Sequence, residues 1–223
     1  MIAVVDYGLG NVRSVVSAVS RLGHAAVLTR DPGELALADK LILPGVGAFG
    51  EAMERLRAFG LVTALRRLVE DEEKPILGIC LGMQLLCEES LEFGRHEGLG
   101  WIPATVRRLE PGPGLRLPHV GWNELFQTAP SPLFAGIPED ALFYHVHSYY
   151  PDCRDPALVV GESDYGGRFP TCLQKGHVFG VQFHPEKSQR HGLTLLGNFL
   201  ALDLPDTAAA AVPALSAPPG GRA

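Results

Sequence analysis

The chain has 223 residues, 46% hydrophobic and 20% charged, enough to bury one large core or two small ones. With 19 Lys+Arg against 25 Asp+Glu the net charge is -6, and no basic stripe runs along the sequence, which argues against nucleic acid as a partner. The densest apolar run, Ile76 to Cys87, is broken by Gln84 and falls short of the ~20 residues of a bilayer span, while Met1 to Asp6 carries no basic leader, so the expectation is a cytoplasmic protein with no membrane contact.

Ile2 to Val5 reads as a buried strand feeding the turn-prone Tyr7-Gly8-Leu9-Gly10. Asn11 is placed to cap a helix in which Val12, Val15, Val16, Val19 and Leu22 share one face, with Gly23 as its stop. Ala25 to Thr29 and Leu41 to Leu43 are the next strands, followed by one helical stretch from Glu51 to Glu73. Pro75 to Ile79 is another buried strand, and Met83 to Glu89 another helix. Apolar strands alternating with helices predict an α/β fold, an open and mainly parallel sheet with helices on both faces. From Trp101 to Phe183 the pattern changes to strand-like runs between Pro and Gly turns: 104–109, 142–150, 158–161, 169–174 and 178–183. These predict an antiparallel, strand-rich edge. A last helix spans His191 to Leu202, closing one domain over 1–202, and 203–223 is an Ala/Pro/Gly-rich tail expected to be disordered.

The 4 cysteines include no Cys-x-x-Cys pair, so neither a zinc ribbon nor a disulfide scaffold is suggested. One of them stands apart. Gly78-Ile79-Cys80-Leu81-Gly82 follows a strand and precedes a helix, the pattern of a nucleophile elbow. There the helix N-terminus would favour a thiolate, and the Leu81 N–H would face a developing oxyanion. The same residues also suit a buried cysteine in a glycine-bracketed turn. Gly180-Val181-Gln182-Phe183-His184-Pro185-Glu186 offers a base and an orienting carboxylate two residues apart at a strand end, or a surface His and Glu in a loop begun by Pro185. Pro44-Gly45-Val46-Gly47 lies at another strand's carboxyl end, where open α/β sheets place ligands, so Val46 or Gly47 could give a second oxyanion N–H. A metal site on His145-x-His147 lacks a third nearby ligand in the sequence, and no metal or cofactor is expected. Cys87, Cys153 and Cys172 have no glycine bracket and are expected to be unreactive.

Together these motifs resemble the class I, triad-type glutamine amidotransferases over residues 1–202. The resemblance implies Cys80 as nucleophile, His184 as base and Glu186 as its orienting carboxylate, with Gly47, Gln84, Glu92, His147, Ser148 and Tyr149 holding glutamine. Val5 to Asn11, Pro44 to Phe49, His119-Val120-Gly121-Trp122-Asn123 and His147-Ser148-Tyr149 are similar to the glutaminase (HisH) subunits of imidazole glycerol phosphate synthase. That likeness implies a heterodimer with a (β/α)8-barrel cyclase, HisF, which takes up the ammonia in histidine biosynthesis. His119, Trp122, Asn123 and Lys187 are then expected at the partner interface. The rival expectations are an amidotransferase feeding another synthase, a stand-alone thiol hydrolase of the same fold, and a non-catalytic module; intact Cys80, His184 and Glu186 argue against the last.

Overall fold

A computed structural model describes residues 1–203; the expected tail, beyond its first residue, lies outside the described residues. The first half runs β1 (Ile2–Val5), α1 (Val12–Arg21), β2 (Ala26–Thr29), α2 (Pro32–Leu37), β3 (Lys40–Gly45), α3 (Phe49–Ala58), α4 (Leu61–Arg66), β4 (Ile76–Cys80) and α5 (Leu81–Leu85). The second half runs β5 (Cys87–Ser90), β6 (His96–Glu97), β7 (Ile102–Arg108), β8 (His119–Glu124), β9 (Phe126–Gln127), β10 (Leu142–His147) and β11 (Tyr149–Cys153). It closes with β12 (Val159–Asp164), β13 (Arg168–Lys175), β14 (Val178–Val181) and α6 (Gln189–Leu200).

The main sheet has eight strands in the order β2-β1-β3-β4-β14-β13-β12-β9. Strands β2 to β14 in that order are parallel, and β13, β12 and β9 continue antiparallel, giving the expected edge. Alternate side chains of β1 serve two cores, as the strand period of two requires: Ala3 and Val5 pack with α2 to α5, Ile2 and Val4 with α1 and α6. With both faces covered, the parallel strands read as continuous apolar runs.

Four expectations need correction. The remaining strands do not all extend the main sheet: β10 and β8 form a two-stranded pair, and β11-β7-β5-β6 a separate four-stranded sheet. The expected strand over 142–150 is therefore two, split at Ser148 between those sheets. The helix expected to reach Glu89 stops at Leu85, because Cys87–Ser90 pairs with β7 and β6 as β5. The stretch from Glu51 to Glu73 is broken at Gly60, whose φ of 68° is left-handed, and it ends in a π-helical turn, Arg67–Asp71. Asn11 precedes α1 but caps it without a side-chain bond to a backbone N–H; its Oδ1 accepts from the Ser14 hydroxyl at 2.8 Å. Helix α2 escaped the periodicity reading because it is only 6 residues long, yet Asp31 caps it by accepting from Glu34 N at 2.9 Å.

Candidate active site

Cys80 ends β4 and begins α5 with φ 55° and ψ -111°, a conformation a non-glycine residue holds only when its surroundings dictate it. The glycines around it serve close approach rather than turning. A Cβ on Gly78 would stand 2.7 Å from backbone atoms of Gly82 and Met83, and one on Gly82 would run into the carbonyl of Leu43. Gly45 and Gly180, on the neighbouring strands, are closed mainly by side chains: the Tyr7 hydroxyl and Leu81 Cβ crowd Gly45, and Met83 Cγ would stand 2.6 Å from a Cβ on Gly180. Helix α5 thus sinks onto β3, β4 and β14 to a depth only glycine permits. The strain stays on the cysteine, which is 6% exposed, while the Leu81 N–H begins the helix with no intrahelical acceptor.

The strand end expected to carry His184 and Glu186 stops earlier, since β14 ends at Val181; His184 caps the 3-10 turn Pro185–Lys187, and Glu186 lies within it. Tyr144 fixes that turn: its carbonyl accepts from His184 N at 2.9 Å, and its N–H donates to the Ser188 hydroxyl at 3.0 Å, which in turn donates to the His184 carbonyl at 2.7 Å. His184 Nδ1 lies 2.8 Å from Glu186 Oε1, and the two side chains are 2% and 1% exposed. His184 Nε2 is buried and makes no hydrogen bond, and the Cys80 side chain lies near enough to act on its charge. Burial opposes an imidazolium here, yet the interactions with Cys80 and with the Glu186 carboxylate bonded at Nδ1 outweigh it and raise His184 to about 9.

Cys80 and Leu81 line a cavity of about 400 Å³ with Val46, Gly47, Gln84 and Glu92, completed by His147, Ser148 and Tyr149 and by Phe93 at the rim. Every residue expected to hold glutamine borders this one space. Their polar atoms are not all free. Glu92 Oε2 accepts from Phe49 N at 2.7 Å, tying the carboxylate to the start of α3. Gln84 Nε2 donates to the Tyr149 carbonyl at 3.0 Å and to Gln182 Oε1 at 3.1 Å. Val46 is exposed, and Gly47 has a φ of 104° with nothing within 4 Å of where a Cβ would stand. Gln182 was in the sequence motif but had no role; its position two before His184 on an alternating run was the available signal. It is fully buried, and its Nε2 donates to Cys80 Sγ at 3.8 Å.

The expected interface residues separate. Trp122 is 42% exposed and packs edge-on to Tyr144 at 5.8 Å, and Lys187 Nζ lies 5.8 Å from the Tyr144 ring. Val120 and Leu142 are exposed alongside. His119 departs from the expectation: it is 1% exposed, stacked on Tyr165 at 4.0 Å and bonded through Nε2 to Asn123 Oδ1 at 2.7 Å, so it supports this face from beneath.

His119 also supplies a third histidine beside His145 and His147, which the sequence reading did not place there. Register places it opposite His147, and possible ligand nitrogens of His119, His145 and His147 lie within 4.8 Å of one another. Yet the His119 and His145 rings stack with planes only 19° apart, aiming their in-plane lone pairs along near-parallel planes instead of at one point. The cluster is a buried stack of neutral rings, not a preformed metal cage. Burial lowers all three, His145 well below the usual range and His147 to about 3. Burial likewise pushes the Cys87, Cys153 and Cys172 thiols up, away from reactivity.

Residues 3–202 match the family described as "Glutamine amidotransferase class-I". The chain is 50% identical over 198 residues to the imidazole glycerol phosphate synthase subunit HisH of Moorella thermoacetica, covering 89% of this chain and 93% of that protein. It is 48% identical to subunit HisH 1 of Campylobacter jejuni strain RM1221, across 91% of this chain and 100% of the relative. Among solved structures, that of PurLQS from Thermotoga maritima is similar in fold, with TM-score 0.68 and 21% identity over 89% of this chain and 96% of that one.

Proposed function

This chain belongs to the class-I glutamine amidotransferases and, within them, to the HisH subunits of imidazole glycerol phosphate synthase; from that premise we propose that it hydrolyses glutamine at Cys80 and passes the ammonia to a cyclase subunit, HisF. The observation that carries the reading is the buried line Glu186–His184–Cys80, which ends at a cavity with room for glutamine. Glu186 fixes the imidazole tautomer so that Nε2 is the base. His184 Nε2 takes the Cys80 proton, and the thiolate attacks the side-chain carboxamide carbon of glutamine. The oxyanion that forms is met by the Leu81 N–H and by an N–H of Val46 or Gly47. His184 then returns its proton to the departing nitrogen, ammonia leaves, and the glutamyl thioester remains. Water, deprotonated by His184, attacks the thioester; glutamate is released and Cys80 is restored.

Gly47, Gln84, Glu92, His147, Ser148 and Tyr149 surround the substrate in this account. Glu92 also ties the pocket wall to α3, so its removal would loosen two things at once. Ammonia must not be protonated in bulk water, and the exposed Trp122 and Lys187, on either side of the half-buried Tyr144, adjoin the turn at His184 and Glu186. That face, with Asn123 at its margin, suits the barrel's docking, with Trp122 as its anchor. In the cyclase the ammonia would yield imidazole glycerol phosphate and aminoimidazole-carboxamide ribotide, a step of histidine biosynthesis. Among the described residues no helix is long and apolar enough to cross a membrane. We further propose that the peptides of the Gly45-Val46-Gly47 loop reorient about Gly47 when the loaded partner docks, because nothing crowds Gly47, while Gly45 stays packed against Tyr7 and Leu81.

The test is glutamine hydrolysis by the purified chain, alone and mixed with the cyclase barrel and its ribotide substrate, with Cys80→Ala as blank. Activity that appears in the mixture and vanishes in the blank is the expected result. Full turnover by the chain alone, indifferent to the barrel, would instead point to a stand-alone thiol hydrolase and would end the loop proposal.

A further inference from the structure

Gln182 lies one residue beyond Val181, which pairs with Ile79, so it comes level with Cys80 on the neighbouring strand. Its backbone is pinned there, since Gln182 N donates to the Thr171 carbonyl at 2.8 Å, and its side chain has no contact with solvent. The direction of its amide is set from a distance. The Tyr149 carbonyl can only accept, so the Gln84 group 3.0 Å away must be its NH2. That NH2 has a second hydrogen, which goes to Gln182 at 3.1 Å and requires the oxygen of Gln182 on that side. The NH2 of Gln182 is thereby turned to the sulfur of Cys80, 3.8 Å away. A flipped Gln182 would oppose two NH2 groups in a buried space, a cost that water cannot relieve.

We propose that Gln182 is a positioning residue for the nucleophile: it donates to the Cys80 thiolate and holds the sulfur in place, with its direction enforced by the relay Tyr149 carbonyl, Gln84, Gln182. A donor aimed at sulfur favours the thiolate over the thiol, which has its own proton to place. The relay also joins the cavity wall at Gln84 and Tyr149 to the nucleophile through two amides. It deepens the reading of Cys80 as the reacting sulfur and rests on it.

Two substitutions separate the donor from the packing. Gln182→Met keeps the volume and removes the amide. Gln182→Glu keeps an acceptor for Gln84 but puts a carboxylate where the donor was. The readout is iodoacetamide alkylation of Cys80, followed peptide by peptide across pH, together with glutaminase kcat and KM of the complex with the cyclase. The expected result is alkylation at neutral pH slowed about tenfold in Gln182→Met and more in Gln182→Glu, with the rate profile moved to higher pH. Alongside it, kcat should fall and KM for glutamine should stay near wild type. Wild-type alkylation profiles in both variants would overturn the relay. In the unmutated chain, the side-chain amide resonances of Gln182 should shift between free and alkylated Cys80; no shift would overturn it without relying on any variant's folding. An active Cys80→Ala protein would sink the nucleophile reading instead, so the two failures are distinct.

Discussion

The turn at Cys80 and the loop at Val46 and Gly47 border the same cavity, yet one is dictated by its surroundings and the other is left free. Around Cys80, Gly78 and Gly82 admit no further atom, and the cysteine's own positive φ is held by that packing. At Gly47 nothing stands within 4 Å of a would-be Cβ, and Val46 is exposed. On the function proposed above the contrast means different duties: the closed turn would keep the sulfur in place in every state, and the open loop would change the oxyanion site when a partner arrives.

The sharpest way to break this contrast is a matched pair of alanine substitutions. Gly82→Ala should cost about 3 kcal/mol or more, or prevent folding, because the new methyl meets backbone that cannot yield. Gly47→Ala should cost only about 1 kcal/mol of backbone strain, leaving thermal unfolding nearly intact while glutaminase activity drops. Equal losses of stability at the two sites, measured by denaturant titration, would remove the distinction.

A second comparison sets the exposed side of β8 against its buried side. Trp122 faces outward, so Trp122→Ala should weaken the complex with the cyclase by about 2 kcal/mol, roughly thirtyfold in Kd, with little effect on the stability of the free chain. Unchanged affinity in a titration would refute the anchor role. The buried side carries His119, against His145 and His147, and its signature is acid sensitivity. Burial depresses these histidines in the folded chain, so the unfolded chain binds more protons, and stability present above about pH 6.5 is lost as pH falls toward the folded values. His147, lowered to about 3, should alone contribute a loss of about 2 kcal/mol between pH 6.5 and pH 5. His145→Phe should flatten the slope of stability against pH; a slope identical to wild type would show that His145 is protonated freely in the fold.

The parallel half of the fold was legible because strands buried on both faces leave unbroken apolar runs, and its βα turns are marked by glycine. The second half was not, because Leu142–His147 and Tyr149–Cys153 form one continuous strand-like run whose division at Ser148 depends on which distant strands pair with each piece. Cys87 to Ser90 misled for a related reason: Cys-Glu-Glu-Ser continues the helical run before it with glutamates that suit a helix, and only pairing with β7 makes it a strand. The motifs that carry Cys80, His184 and Glu186 were visible as local patterns, whereas His119 was misplaced because exposure is a tertiary property. Gln182 was overlooked because its role is a direction, set through Gln84 by a carbonyl at Tyr149.

The central claim, that Cys80 is the group that attacks glutamine, is tested most directly by treating the complex with an electrophilic diazoketone analogue of glutamine and mapping the adduct by mass spectrometry. The account predicts one adduct per chain, on the peptide containing Cys80, accumulating in step with the loss of glutaminase activity and suppressed by excess glutamine. Labelling at another residue, or full activity after complete labelling of Cys80, would contradict it.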